Sequence, residues 1–584
     1  MKKNRIVLYS ILILFSCLFL GVGYASISSI GLDVEGEASL DKQSGILISD
    51  VVDGINTNSS LINTYYQTNL DSTITLERNN LSSIVTYQIT ILNKTETPQE
   101  FEGIIYDDEW YDNNDIIIEL SGLSVGDVVN VDNSITFTVT FKYDPNISSI
   151  TNNILNSYIN FKFKEYEAEP DPLPPVLNRG MVPVVIDNDG TVTTVNEEDP
   201  NWYNYSGNKW ANAVLVKSNG TNTRSYYLSN DGVEVSQSDI LAYFVWIPRY
   251  HYQIWTLESS STGNEQEIII RWSLHEEVKS GTQIGEYRTQ PGFSFGNKEL
   301  DGFWVGKFET STESSSTCYT SASANNCNNI NQDPRILANV YSLRFQTFAN
   351  QFQTAIKFAG GSMSNNVVSF SGNTTFGLET DSDSHMSKNT EWGAVAYLSR
   401  SKYGVNGEVI WNNNSTFLTG CGGTLDSYKT STTACSIPYG GNTSYPQSTT
   451  GNISGVFDMA GGSYESSMAN HGNTTKSSGF AAEWFSNSNN AKYYDLYDSS
   501  IFTGSSTTNA SFCTVETCGG HSLFETKGWY GTSSGFAYSN NNWFLRGGGT
   551  ASSLSSSTGI FASNAISGSY LSYNSFRTIL VNVE

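Results

Sequence analysis

The sequence predicts a multidomain, β-rich protein: an N-terminal all-β sandwich, a proline-rich linker, and a larger C-terminal body of α+β type. Three observations carry this. Residues Ser83, Val85, Tyr87, Ile89 and Ile91 alternate with Ser82, Ile84, Thr86, Gln88 and Thr90, the period of two that marks a half-buried strand. Pro170, Pro172, Pro174 and Pro175 crowd one short stretch, which favours a stiff extended spacer. Beyond it the chain shifts toward Gly, Asn, Ser and aromatic residues, and strand-like and helix-like segments mix.

Each segment follows from its own pattern. The sandwich spans residues 26–167; Ile135, Phe137, Val139 and Phe141 share one face, and Tyr158–Phe163 supplies a closing strand. Turn-rich clusters such as 111–115 separate its strands. Residues 168–176 form the linker, 177–240 a β-rich entry segment, and 241–584 the main body. There Leu241–Pro248 reads as a strand stopped by proline, and Gly302–Glu309 as another. Phe345, Phe348, Phe352 and Ile356 have helical spacing, with Gly360-Gly361 as the stop. A second helix follows Lys388-Asn389, with Thr390 as its cap and Glu391 set against the helix dipole. Trp392, Val395, Ala396 and Ser399 form its packing face.

Composition narrows the class. The 584 residues include 33 Tyr, 12 Trp and 29 Phe with only 15% charged residues, too aromatic for a largely disordered chain. Fifty-seven acids against 31 bases give a net charge of −26, which repels phosphate backbones and excludes nucleic acid as the expected partner. Lys2, Lys3 and Arg5 precede an apolar run from Ile6 to Tyr24, the pattern of a signal peptide cleaved after Ala25. An uncleaved segment would instead anchor the protein, its one expected link to a membrane. The expected location is therefore extracellular or at the cell surface. No Leu-Pro-x-Thr-Gly sorting motif accompanies it.

Besides Cys17, six cysteines occur as neighbours: Cys318/Cys327, Cys421/Cys435 and Cys513/Cys518. In an exported chain an even count predicts disulfides, and the spacing favours these local pairs among the permitted pairings. There is no Cys-x-x-Cys, and the five histidines (251, 275, 385, 471, 521) are scattered, so no metal cluster is predicted and no cofactor is required.

Four motifs occur in order: Val245-Trp246-Ile247-Pro248, Glu391-Trp392, Gly455-x-x-Asp458-Met459-x-Gly461, and a closing Arg546-Gly547-Gly548 … Phe576-Arg577. Together they resemble the formylglycine-generating-enzyme (sulfatase-modifying factor) branch of the C-type lectin fold. The resemblance spans residues 241–580 and implies an α+β C-type-lectin-like domain. Glu391, Trp392, Asp458, Gly461, Glu465, Arg546, Gly547, Gly548, Phe576 and Arg577 would be its structural motif residues. The enzymes keep redox cysteines in this neighbourhood, but none lies between Arg546 and Arg577, so the resemblance here implies a binding surface without oxidase activity. It also brings a calcium site near Glu465, weakened because Gly462 and Tyr464 stand where the family has Asn and Trp. At the N-terminus, Gly31–Ala38 resembles the opening of exported Gram-positive β-sandwich proteins of the camelysin and biofilm-fibre type.

The expected function is non-catalytic ligand binding or adhesion, with a glycan or surface protein as partner. A structural matrix or fibre role through the sandwich is the alternative. The segment after Arg546 is rich in Ser, Asn and Tyr, a composition suited to adaptable recognition. Its candidate ligand-binding residues, with neighbouring aromatics, are Trp529, Trp543, Thr550, Ser552, Ser555, Asn564, Tyr570, Tyr573 and Asn574.

Overall fold

Alternation at every second position builds the N-terminal unit. In a computed structural model of the chain, two compact units separate at Met1–Ala168 and Glu169–Glu584. The structure describes residues 45–56, 60–78, 80–106, 115–144, 147, 150, 153–166, 170–254, 265–283, 286–312, 333–340, 342–409, 439–503, 508–509, 513–548, 558–571 and 573–584. The signal segment, most of turn 111–115 and four cysteines, Cys318, Cys327, Cys421 and Cys435, lie outside the described residues.

Among the described residues the first unit has nine strands: β1 (Ile46–Asn56), β2 (Ser60–Tyr66), β3 (Asn69–Thr75), β4 (Ile84–Asn93), β5 (Gln99–Tyr106), β6 (Ile116–Ser121), β7 (Val128–Val129), β8 (Ser134–Tyr143) and β9 (Ile154–Glu165). They form a four-stranded sheet, β1-β4-β8-β6, and a five-stranded sheet, β2-β3-β9-β5-β7. Val85, Tyr87, Ile89 and Ile91 from β4 join Phe137, Val139 and Phe141 from β8 in a core completed by Leu70, Ile74, Ile159 and Phe161 of the other sheet. The predicted inward faces are the buried ones, because period two places alternate side chains on opposite faces of a strand.

The second unit is organised by a seven-stranded antiparallel sheet. Its strands are β10 (Val182–Ile186), β11 (Val192–Thr194), β12 (Asn212–Val216), β13 (Ile240–Pro248), β14 (Gly302–Gly306), β15 (Ser382–Met386) and β21 (Thr578–Asn582), in the order β11-β10-β12-β13-β14-β21-β15. Residues 177–240 are thus built into the main sheet. The end of the proline-rich stretch is also fixed, since Trp304 Nε1 donates to the Val176 carbonyl at 2.8 Å. A second sheet contains β16 (Tyr464–His471), β17 (Asp495–Tyr497), β18 (Trp543–Arg546), β19 (Ser563–Ile566) and β20 (Asn574–Phe576). Its order is β17-β16-β18-β19, with β20 running parallel along β16.

Two of the helices among the described residues pack beside these sheets. Helix α1 covers Phe348–Ala355 and continues as a 3-10 turn, Ile356–Ala359, ended by Gly360 in the left-handed region (φ 72°). It begins later than the apolar spacing predicts, because Phe345 adopts a left-handed conformation (φ 60°) and Thr347 caps the helix by accepting from the Asn350 N–H. Helix α2 covers Asn389–Ser399, with Lys388 rather than Thr390 at the cap. Glu391 closes that end by accepting from the Lys388 N–H at 2.9 Å. Every residue of α2 is buried, so the predicted single packing face is replaced by packing all round.

Phe141 lies fully buried between the sandwich sheets. Phe141→Ala is expected to cost about 3–5 kcal/mol through lost burial and the cavity left behind. Urea denaturation followed by a probe of the first unit checks this.

Candidate functional site

Chain geometry places Arg577 between β20 and β21, where the backbone leaves one sheet and enters the other. Its guanidinium binds both oxygens of Glu465 on β16, with Nε at 2.9 Å and Nη2 at 2.5 Å. It also donates to the carbonyls of Gly306 on β14 (2.7 Å) and Phe457 (2.9 Å). Both partners are buried. Burial pushes the Glu465 carboxyl up, and the charge of Arg577 opposes that rise. Glu309 is buried nearby and raised well above the usual carboxylate range by burial and by the charges of Glu465 and Asp458. Lys307 is buried with its ammonium on Asn212 Oδ1 (2.9 Å) and the carbonyls of Ile453 (2.7 Å) and Gly455 (2.8 Å), so all three protons are used.

The other motifs meet next to this pair. Trp392 Nε1 donates to the Ile560 carbonyl at 2.7 Å, and the Arg546 guanidinium lies 5.6 Å from the Trp392 ring centroid. The Gly461 N–H donates to the Gly547 carbonyl at 2.8 Å. Gly547 has φ 76°, and a Cβ there would lie 3.1 Å from the Met459 carbonyl and 3.3 Å from the Trp392 ring. Only glycine fits that approach without strain.

A cleft of about 950 Å3 opens beside the N-terminus of α2. Segments 291–297, 367–370, 388–390, 488–496 and His521 contribute to it. Behind its wall is a buried ionic network. His385 joins Asp383 (Nδ1, 3.2 Å) to Glu391 (Nε2, 3.0 Å) and stacks on Phe295 with centroids 4.9 Å apart. Burial disfavours the charged imidazole, but the two carboxylates outweigh it and raise the His385 pKa. Asp383 also accepts from Lys492 Nζ (3.0 Å) and the Tyr493 hydroxyl (2.8 Å). Burial raises Asp495 to about 6, although its carboxylate accepts from the Thr390 N–H at 2.8 Å. His521 is pushed the other way, down to about 3, by burial and by the charges of Arg288, Arg546 and Lys388.

The expected ligand residues divide sharply. Trp529 and Trp543 are fully buried and do not line a binding surface. Trp543 packs against Phe348, Phe480 and Phe485, and Trp529 against Phe561, because their large apolar rings gain more in the core than at a polar rim. Asn574 is likewise buried on β20. Asn564 is half-buried, its side-chain oxygen accepting from the Ala565 N–H at 2.8 Å. Tyr573 is half-buried against Tyr464, while Tyr570 is exposed. Thr550, Ser552 and Ser555 lie outside the described residues.

Of the three expected disulfides, Cys513–Cys518 is formed, with Cα atoms 5.6 Å apart. It is the one disulfide among the described residues. The expected pairs Cys318–Cys327 and Cys421–Cys435 fall wholly outside them, in segments 313–332 and 410–438.

Near Glu465 both carboxylate oxygens are engaged by Arg577, and the described residues hold no group of three or more Asp, Glu, His or Cys arranged for a metal ion. The cleft residues Lys492, Asp495 and His521 are absent from the sequence-derived site. Asp383 and His385 carry a local signal, since a two-residue spacing on a strand puts both on one face.

Arg577→Met leaves Glu465 buried without its cation and is expected to cost about 3–5 kcal/mol. Combining it with Glu465→Leu is expected to recover part of that loss, as read by chemical denaturation. A second expectation concerns pH. In the unfolded chain His521 takes a proton below about 6.5, whereas the folded chain refuses it until about 3. Its contribution is therefore complete above pH 6.5 and is lost progressively as pH falls toward 3. His521→Gln, which does not titrate, should lose about 1–2 kcal/mol less than the parent between pH 7 and pH 4.5. Urea titrations across that range measure the difference.

Comparison with known proteins returned no matching family model and no matching curated protein.

Proposed function

We propose that the chain is an exported surface or secreted protein whose C-terminal unit is a C-type-lectin-like head of the formylglycine-generating-enzyme type, used for non-catalytic ligand binding. The supporting observation is the convergence of motifs far apart in sequence. Trp392 reaches Ile560, Gly461 reaches Gly547, and Arg577 clamps Glu465. These residues are occupied with holding loops and sheets together, and the exposed Tyr570 remains on the Ser- and Asn-rich segment for a partner. Tyrosine suits that role because it offers a rigid apolar ring with a hydroxyl at little entropic cost. The partner on this reading is a glycan or a surface protein. No catalytic step is assigned, since residues 546–577 contain no cysteine to serve as an oxidase thiol.

A second reading, assembly into a matrix or fibre through the sandwich, draws on strand β1. It lies at the edge of its sheet and exposes Val52 and Ile55. Such an edge can template pairing with another chain.

The binding reading predicts saturable binding of the full chain to a glycan array or to surface extracts. Tyr570→Ala should weaken it about tenfold or more, with the thermal midpoint unchanged. Retention of full affinity in the variant moves the site off this segment, whereas no binding by the folded chain together with concentration-dependent polymerisation sinks the binding reading in favour of assembly.

A further inference from the structure

The cleft beside α2 departs from the rest of the molecule in charge. The chain carries 57 acids and 31 bases, yet Lys388, Lys492 and His521 line this cleft with one carboxylate, Asp495. Thr390 occupies both oxygens of that carboxylate, through its N–H at 2.8 Å and its hydroxyl at 3.1 Å. The lining thus carries more bases than acids on an anionic protein, while Asp383 and Glu391 behind it pair with Lys492 and Lys388, so what the wall offers an anion is donors rather than a net positive field.

Lys492 is the available cation. Its ammonium sits 4.6 Å from the Phe295 ring centroid and 4.8 Å from that of Tyr493, and the side chain is 30% exposed. Asp383 accepts one of its three protons, leaving two for a ligand. Lys388 lies 5.6 Å from the same Phe295 ring but is committed to Glu391 and the Ser294 carbonyl. Its charge is answered by Glu391, so it helps shape the wall and is not the ligand's cation.

His521 supplies a second donor. The Tyr497 hydroxyl accepts from Asn389 Nδ2 at 3.1 Å and shares a 2.6 Å hydrogen bond with His521 Nδ1. In the tautomer in which that hydroxyl donates to Nδ1, the neutral ring carries its proton on Nε2. At the rim, Val367 and Leu496 are exposed large apolar side chains, with half-buried Phe370 beside them. Ser369 and Asn489 add neutral polar groups. One available ammonium, with no arginine among the described lining residues, matches a monoanion better than a phosphate. A wall with one apolar stretch, neutral hydrogen-bonding groups and a single available cation matches a sugar ring that carries a carboxylate. The volume accommodates a ligand of di- to trisaccharide size.

We infer that this cleft is the binding site for an acidic saccharide, with Lys492 and the His521 N–H holding the carboxylate and the Val367–Leu496 rim covering the ring face. This rests on the reading of the head as a binding module. It deepens that reading by naming the ligand class and a site distinct from the Tyr570 segment.

Calorimetric titration of the full chain with trigalacturonate and with 3′-sialyllactose, each beside its methyl ester, tests the inference. At least one acid should bind saturably, and its ester, which keeps the rings and removes the charge, should bind about tenfold or more weakly. Lys492→Gln keeps a donor for Asp383 but removes the charge, and Leu496→Asp places a repelling group on the exposed rim. Both should weaken binding about tenfold or more, while Tyr226→Ala, an exposed side chain outside the lining, leaves it unaltered. No binding of either acid, equal binding of the esters, or full affinity in Lys492→Gln overturns the cleft assignment. If Tyr570→Ala abolishes binding while Lys492→Gln does not, the cleft falls and the surface-segment reading stands.

Discussion

The second unit depends on one buried ion pair. Arg577 occupies the step between β20 and β21, so its backbone belongs to both sheets and its side chain reaches back into each of them. Glu465 answers from β16, and Gly306 answers with a carbonyl from β14. A charged pair removed from water is costly unless nearly every donor and acceptor is engaged. Here the guanidinium has four short bonds to three groups, so the pair fixes the angle between two sheets that apolar contact alone would let slide.

The same economy recurs wherever charge is buried. Lys307 ends on three oxygens with no carboxylate among them, which lets an ammonium sit inside the core while burial lowers its pKa. Glu525 holds the Tyr252 and Tyr397 hydroxyls and the Gly520 N–H, and burial raises its pKa. The His385 network differs in having a solvent-facing side, since Lys492 belongs at once to the buried Asp383 and to the cleft. Rigidity behind the wall and adaptability in front of it come from the same side chain. Preorganisation of that kind reduces the ordering cost when a ligand arrives.

Much of this architecture is legible in the sequence, for reasons that differ by element. Strands β4 and β8 declare themselves because one face is wet and the other dry, and period two survives in the residue order. Glu391 is legible as a first-turn acid, but the cap is misplaced by two residues because Thr390 turns its hydroxyl to Asp495 on another segment. Trp529 and Trp543 mislead because a Ser- and Asn-rich neighbourhood carries no periodicity to say which way an aromatic ring turns. The cleft is invisible in one dimension. Its lining comes from five stretches between residues 291 and 521, each ordinary by itself.

Strand β21 lies inside the main sheet, flanked by β14 and β15, and Asn178 donates to the Val581 carbonyl across 403 positions of sequence. The sheet thus has a gap until residues 578–582 have been synthesised. Contacts of such long range form slowly and late. During synthesis the second unit stays open while its earlier strands wait for a partner, whereas the sandwich closes entirely within residues 46–165. For a chain that is threaded through a membrane unfolded, as the export proposal requires, that delay is an asset: the part with the most buried charge is also the part least able to lock before it has crossed.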